Sequence, residues 1–191
     1  MKSLLRSVPP PYVFIEPAAT LADVRSAILE YNPQFAVFSG HSLVGSLIFE
    51  LSDGSVDLPS SEDFIAALMP ATGIQTKLRC IVLNGCDTIS LARSVISRFP
   101  NLAIVCWQSP ADDAAARAFM AGFYGVVGGN LAQDTAEVDI RAAYLAGLAS
   151  FKDQGFVLGD PRPFMQQTDT QQHNTQQNNT QQNTMQQNNM Q

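Results

Sequence analysis

Three continuous apolar runs constrain the fold of this chain most: Phe35-Ala36-Val37-Phe38, Cys80-Ile81-Val82-Leu83 and Leu102-Ala103-Ile104-Val105-Cys106-Trp107. A strand that shows one face to water alternates apolar and polar residues. These runs do not alternate, so each is expected as a strand buried on both faces. Segments with helical spacing lie between them. Strands alternating with helices indicate an α/β domain, a mainly parallel sheet with helices on both faces. Right-handed crossovers then place the C-terminal ends of the strands on one edge. That edge is where such sheets bind ligands.

The remaining segments follow from local chemistry. Residues 1–11 end in Pro9-Pro10-Pro11 and form an N-terminal extension. Tyr12 to Ile15 reads as a short buried strand. Thr20 and Asp23 have capping-box spacing, and Leu21, Val24, Ile28 and Leu29 give a helical stripe to about Tyr31. Asn32-Pro33 ends it. Ser46–Leu51 reads as a strand, and Asp53-Gly54 as a hairpin turn before Val56-Asp57-Leu58. Ser60 and Asp63 open another helix. A helix from about Asp87 to Arg98 follows the second apolar run, with Asp87 as its cap. Ser109-Pro110-Ala111-Asp112 is expected to start a helix with Pro110 in the first helical position, running to Gly128-Gly129. A last amphipathic helix is expected over Thr135–Gln154, with Gly155 as its stop.

From residue 161 the composition changes. Residues 165–191 are almost wholly Gln, Asn, Thr and Met, with Asp169 the one charged residue. Such a stretch has no apolar face to offset the entropy of ordering, so 161–191 is expected to be a disordered tail. The folded domain is expected over 12–160.

The formal net charge is −6, and the acidic residues fall almost entirely in the body. An acidic body offers no electrostatic footprint for nucleic acid or for an anionic membrane surface. No apolar run approaches the ~18 residues of a membrane span. The N-terminus lacks the apolar stretch of a signal peptide. Three cysteines, an odd number, fit a reducing compartment better than a disulfide framework, which points to the cytoplasm. Cys80, Cys86 and Cys106 lack zinc spacing, so no metal or other cofactor is expected.

Two residues stand out by position. His41 closes one apolar strand and Cys86 follows another. Parallel, adjacent strands would bring both side chains to one edge, where thiol and imidazole make a nucleophile and base pair. A helix start just after Cys86 favours its thiolate. The bland alternatives are a histidine at a strand end and a small buried cysteine. The second describes Cys80 and Cys106 well, since both lie inside apolar strands. The segment Gly40-His41-Ser42-Leu43-Val44-Gly45 is not a nucleophile elbow built on Ser42. Val44 stands where that motif needs glycine, and a strand, not a helix, follows.

Phe38-Ser39-Gly40-His41 and Val82-Leu83-Asn84-Gly85-Cys86 resemble the two signature strands of caspase-like cysteine peptidases, and the CHAT branch in particular. Cys106-Trp107-Gln108, then Asp112-Asp113-Ala114-Ala115, Phe119 and Gly122-Phe123-Tyr124 add to the resemblance, which covers about residues 12–160. It implies a caspase-like three-layer sandwich and a cysteine endopeptidase acting on a protein or peptide. Cys86 would attack the peptide carbonyl and His41 would protonate the leaving amine. Backbone N–H groups of Ser42 and Cys86 would hold the oxyanion, each worth roughly 3–4 kcal/mol. Asn84, Asp113 and Trp107 are the substrate-pocket candidates. The chain departs from the family in three places. Ser42 stands where the family has glycine. Asn84 stands where metacaspase-like members carry an acid. Only eleven residues precede the segment matching Tyr12–Ile15, where the family has a further strand and helix. These departures keep open a second class, a catalytically silent caspase-like module that binds a protein partner. They also leave room for a second chain that completes the sheet.

Overall fold

The computed structural model describes residues 8–9, 12–43, 45–51, 53–69, 76–132, 138–157 and 163–166. Its centre is a sheet built from the three apolar runs. β1 (Phe35–Ser39), β6 (Cys80–Asn84) and β7 (Ala103–Trp107) are parallel neighbours in that order. β6 and β7 are buried over nearly their whole length, as an apolar run without alternation requires. β1 is only half-buried through Phe35–Phe38, because it lies at the sheet edge. The fold is therefore a mixed α/β domain around a small parallel sheet.

Helices cover both faces. On one face α4 (Asp113–Ala132) and α5 (Ile140–Asp153) bury Val82, Val105 and Trp107 under Phe119, Phe123 and Phe151. These two helices approach closely. A Cβ on Gly122 would collide with the Ala146 carbonyl, and one on Gly147 with the Phe119 ring. On the other face α1 (Leu21–Tyr31), α2 (Ser61–Leu68) and α3 (Ile89–Arg98) cover Ile81, Leu83 and Ile104. Phe64, Leu68 and Val95 are fully buried there. Alternate residues of each strand feed opposite layers, which is the period-two geometry of a pleated strand.

The capping boxes form as their spacing predicts. Thr20 and Asp23 exchange hydrogen bonds at the start of α1, and Ser60 and Asp63 do so at the start of α2. Gly155, at φ +87°, follows the last turn of α5. The Asp53-Gly54 turn joins β4 (Phe49–Glu50) to β5 (Val56–Asp57) as an antiparallel pair.

Several local expectations are corrected. Tyr12–Ile15 is not a buried strand. Tyr12, Phe14 and Ile15 are exposed, and the segment pairs with no strand among the described residues. Ser46–Leu51 is not one strand but two short pieces. β3 (Ser46–Leu47) pairs back on β2 (Ser42–Leu43), and β4 pairs forward on β5. α3 begins at Ile89 with Thr88 as its N-cap, so Asp87 does not cap it. α4 starts at Asp113, not at Pro110. The Asp112 carboxylate accepts from the Ala114 and Ala115 N–H groups, and the Asp112 carbonyl from Ala116. It also runs past Gly128-Gly129 to Ala132. Asp139 caps α5, and the expected start at Thr135 lies outside the described residues. Finally, one short strand lies within the segment expected as tail. β8 (Pro163–Gln166) pairs antiparallel with β7 as the outer strand on that side of the sheet. The rest of the tail, 167–191, and Pro10-Pro11 of the extension lie outside the described residues.

Candidate functional site

β1 and β6 run in parallel register, with Ser39 opposite Asn84. His41 and Cys86 each lie two residues beyond that last pair. Both turns therefore leave the same edge of the sheet side by side. They touch directly. The Gly40 N–H donates to the Asn84 carbonyl at 3.4 Å, and the Ser42 hydroxyl donates to the Cys86 carbonyl. Gly85 is the point of closest approach. A Cβ there would stand 3.1 Å from the Gly40 carbonyl oxygen and 3.2 Å from Ser42 Oγ. Beyond Ser42, the hairpin of β2 and β3 turns at Gly45, where a Cβ would run into Ser90 of α3.

The cysteine turn is clamped from its other side by the loop after β7. Asp87, in the left-handed region at φ 50°, donates its N–H to the Ser109 carbonyl at 3.1 Å. The Thr88 N–H donates to the Trp107 carbonyl at 2.9 Å. The fully buried Thr88 hydroxyl reaches the Leu83 and Gly85 carbonyls, both at 3.2 Å, and accepts from the Trp107 N–H. In the sequence Thr88 is marked only as a hydroxyl residue just before a helix.

The thiol of Cys86 is half-buried and points to this loop. Its Sγ accepts the Ala111 N–H at 3.3 Å and lies 3.9 Å from the Ala111 carbonyl. Cys80 and Cys106 are buried in strands, and burial pushes each thiol up to about 12. His41 is exposed at the mouth of the seam. Its carbonyl accepts from Ile48 at 3.0 Å. No hydrogen bond joins its imidazole to Cys86 Sγ among the described residues.

The two expected oxyanion donors lie on either side of the seam. Because Ile48 bonds the His41 carbonyl, the alternation of an antiparallel pair turns the Ser42 N–H away from β3. Among the described residues the Cys86 N–H has no hydrogen-bond partner.

The pocket candidates fall at one place. Asn84 and Asp113 line a cavity of about 190 Å³ together with Ser39, Arg117, Met120 and Tyr124. Trp107 is buried behind it. Its indole N–H donates to Asn84 Oδ1 at 2.8 Å, which fixes the amide so that Nδ2 faces Ser39 Oγ at 3.3 Å. Asp113 is exposed and meets Arg117 at 3.7 Å, one helical turn on. Trp107 thus holds a pocket residue and does not itself line the cavity. Among the described residues no group of three His, Cys, Asp or Glu side chains gathers to hold a metal ion, and no helix is long and apolar enough to cross a membrane.

In comparisons with known proteins, no family model matches the chain and no significant match is found among curated proteins.

Proposed function

We propose that the chain is a cysteine endopeptidase of the caspase-like kind, nearest the CHAT branch, cleaving a protein or peptide in the cytoplasm through His41 and Cys86. The observation that carries this reading is the matched position of the two residues. Each lies two residues past the Ser39–Asn84 register pair, on turns in contact at Gly85. Helix layers on both sheet faces agree with the three-layer sandwich of that family. In the reaction, the Cys86 thiolate adds to the scissile carbonyl. The oxyanion forms beside the Ser42 and Cys86 N–H groups. His41 gives its proton to the leaving amine as the C–N bond breaks, and water then hydrolyses the thioester. The side chain next to the scissile bond enters the cavity of Asn84 and Asp113. Catalytic hydrogen bonds are often made only in the substrate complex, so the separation of His41 from Cys86 Sγ agrees with an enzyme at rest.

A second reading has an observation of its own. Cys86 Sγ already has the Ala111 N–H as a partner and has no hydrogen bond to His41. That arrangement suits a silent module that keeps the fold for binding.

A peptide-like thiol-reactive probe separates the two. The protease reading expects rapid labelling at Cys86 near neutral pH, lost in Cys86→Ala and slowed at least about tenfold in His41→Ala. Labelling indifferent to His41 sinks it and leaves the silent module.

A further inference from the structure

The sheet ends at β8 on one side and at β1 on the other, and among the described residues no strand pairs with the outer side of β1. In a parallel pair, alternate residues bond to the neighbour. Gln34 and Gly40 bond toward β6 and its flanks, so the N–H and C=O groups of Phe35, Val37 and Ser39 face outward. Natural edges are blunted by lysine, proline or a bulge. Phe-Ala-Val-Phe-Ser carries none of these.

Alongside this edge runs a groove of about 740 Å³, within the range of built ligand clefts. Val24 and Ile28 of α1 floor it on one side, and Val8 and Val13 on the other. Phe14 stacks on Tyr31 at 4.0 Å to form part of its wall. The acidic residues of the lining are Glu16, Asp23 and Glu50, His41 stands at its end by the strand terminus, and no lysine or arginine is among the lining residues. The Tyr31 hydroxyl is held above its ordinary value, first by the Glu30 carboxylate, then by burial and by Glu16. The lining thus carries three carboxylates and no lysine or arginine.

We infer that the open edge of β1 is a docking site for an extended segment of a partner protein, apolar along its length and flanked by basic residues, which adds to the sheet as a further strand. Backbone bonds to Phe35, Val37 and Ser39 give affinity, and alternate apolar side chains fill the groove. The acidic lining selects lysine or arginine at the ends. A second copy fits less well, because pairing β1 with β1 sets two acidic linings against each other. The groove reaches Ser39 and His41 at its end, but the docking along β1 needs no turnover by the dyad.

The test uses the full chain with Cys86→Ala, so that binding is read apart from turnover. The probe is a fluorescein-labelled peptide of alternating Val and Thr capped by Lys at both ends, followed by anisotropy. Saturable binding is expected, weaker by about fivefold or more for the Glu-capped peptide, and lost when alternate backbone nitrogens are methylated. Val37→Pro deletes an outward N–H while sparing the ladder to β6, and it abolishes binding. Glu16→Lys with Glu50→Lys leaves the edge intact and reverses the preference. Equal binding of Lys-capped and Glu-capped peptides overturns the inference, as does undiminished binding by a folded Val37→Pro chain. Sedimentation showing a dimer that Val37→Pro dissociates assigns the edge to a second copy instead. Binding that appears only after removal of residues 1–7 assigns it to the chain's own leading segment.

Discussion

The Ser42 hydroxyl donates to the Cys86 carbonyl, tying the turn after β1 to the turn after β6. The bond lies across the seam where the candidate nucleophile and its histidine emerge, and its acceptor is part-buried. Ser42→Ala deletes the donor and leaves that carbonyl without this partner, at a cost of about 1 kcal/mol. Urea unfolding reads it as a lower midpoint at unchanged slope. Amide exchange at Cys86 and Asp87 should quicken, while that of β7 stays as it is. A uniform increase across the domain would mean that Ser42 acts on global stability and not on the seam.

Gly85 tests how closely the two turns must approach. Its would-be Cβ stands 3.1 Å from a backbone oxygen, Gly40 O, and 3.2 Å from Ser42 Oγ. Gly85→Ala forces the turns apart by a few tenths of an ångström and costs about 1–3 kcal/mol. Ser42→Gly removes one of the two obstacles. The pair should therefore be non-additive, the double variant losing less than the sum of the singles by about 0.5 kcal/mol or more. Strict additivity in the unfolding free energies would show that Gly85 and Ser42 do not share this contact.

The three thiols differ in environment, and pH separates them. Cys86 is half-buried, whereas Cys80 and Cys106 are inside strands with their thiols pushed up to about 12 by burial. Iodoacetamide on the folded chain should modify Cys86 alone, with Cys80 and Cys106 reacting only on unfolding, as peptide mass mapping would show. The same burial has a thermodynamic sign. The unfolded chain loses these thiol protons near the ordinary value of 9.0, while the folded chain keeps them to about 12. Above pH 9 the native state thus binds more protons than the unfolded one, and stability falls as pH rises toward 12. Below pH 9 the contribution is fully present. Urea midpoints from pH 7 to pH 10.5 should decline, and Cys80→Ala with Cys106→Ala should flatten the decline.

What was legible in the sequence was what local chemistry dictates. The apolar runs of β6 and β7 became central strands, and the reciprocal spacings Thr20–Asp23 and Ser60–Asp63 became capping boxes. The starts of α3 and α4 are set by contacts that spacing does not show. Pro110 suggested an early start for α4, but Asp112 two residues later bonds the first N–H groups. Asp87, expected as the cap of α3, instead makes a left-handed turn that carries the chain over the end of β7. Tyr12–Ile15 reads as buried because it is apolar, yet it pairs with no strand among the described residues, and Tyr12, Phe14 and Ile15 are exposed. At the site, strand order made the meeting of the His41 and Cys86 turns foreseeable. The Ala111 contact to Cys86 Sγ was not, since it depends on how far the loop after β7 folds back.

Thr88 is the buried polar side chain at the centre of this arrangement, and its hydroxyl is placed to join three elements. It reaches the Leu83 and Gly85 carbonyls at the end of β6, accepts from the Trp107 N–H of β7, and stands at the N-cap of α3. Thr88→Val keeps the shape and removes the hydroxyl, so it leaves buried carbonyls without this donor. The expected loss is about 1–3 kcal/mol. Thr88→Ser keeps the hydroxyl and gives up a methyl, which costs about 1 kcal/mol. Urea unfolding should therefore rank wild type above Ser above Val. The Cys86 alkylation rate should follow the same order in its departure from wild type, because the turn that carries the thiol is held through Gly85. If Ser is as damaging as Val, the methyl packing matters and the hydroxyl does not, and Thr88 is a core residue only.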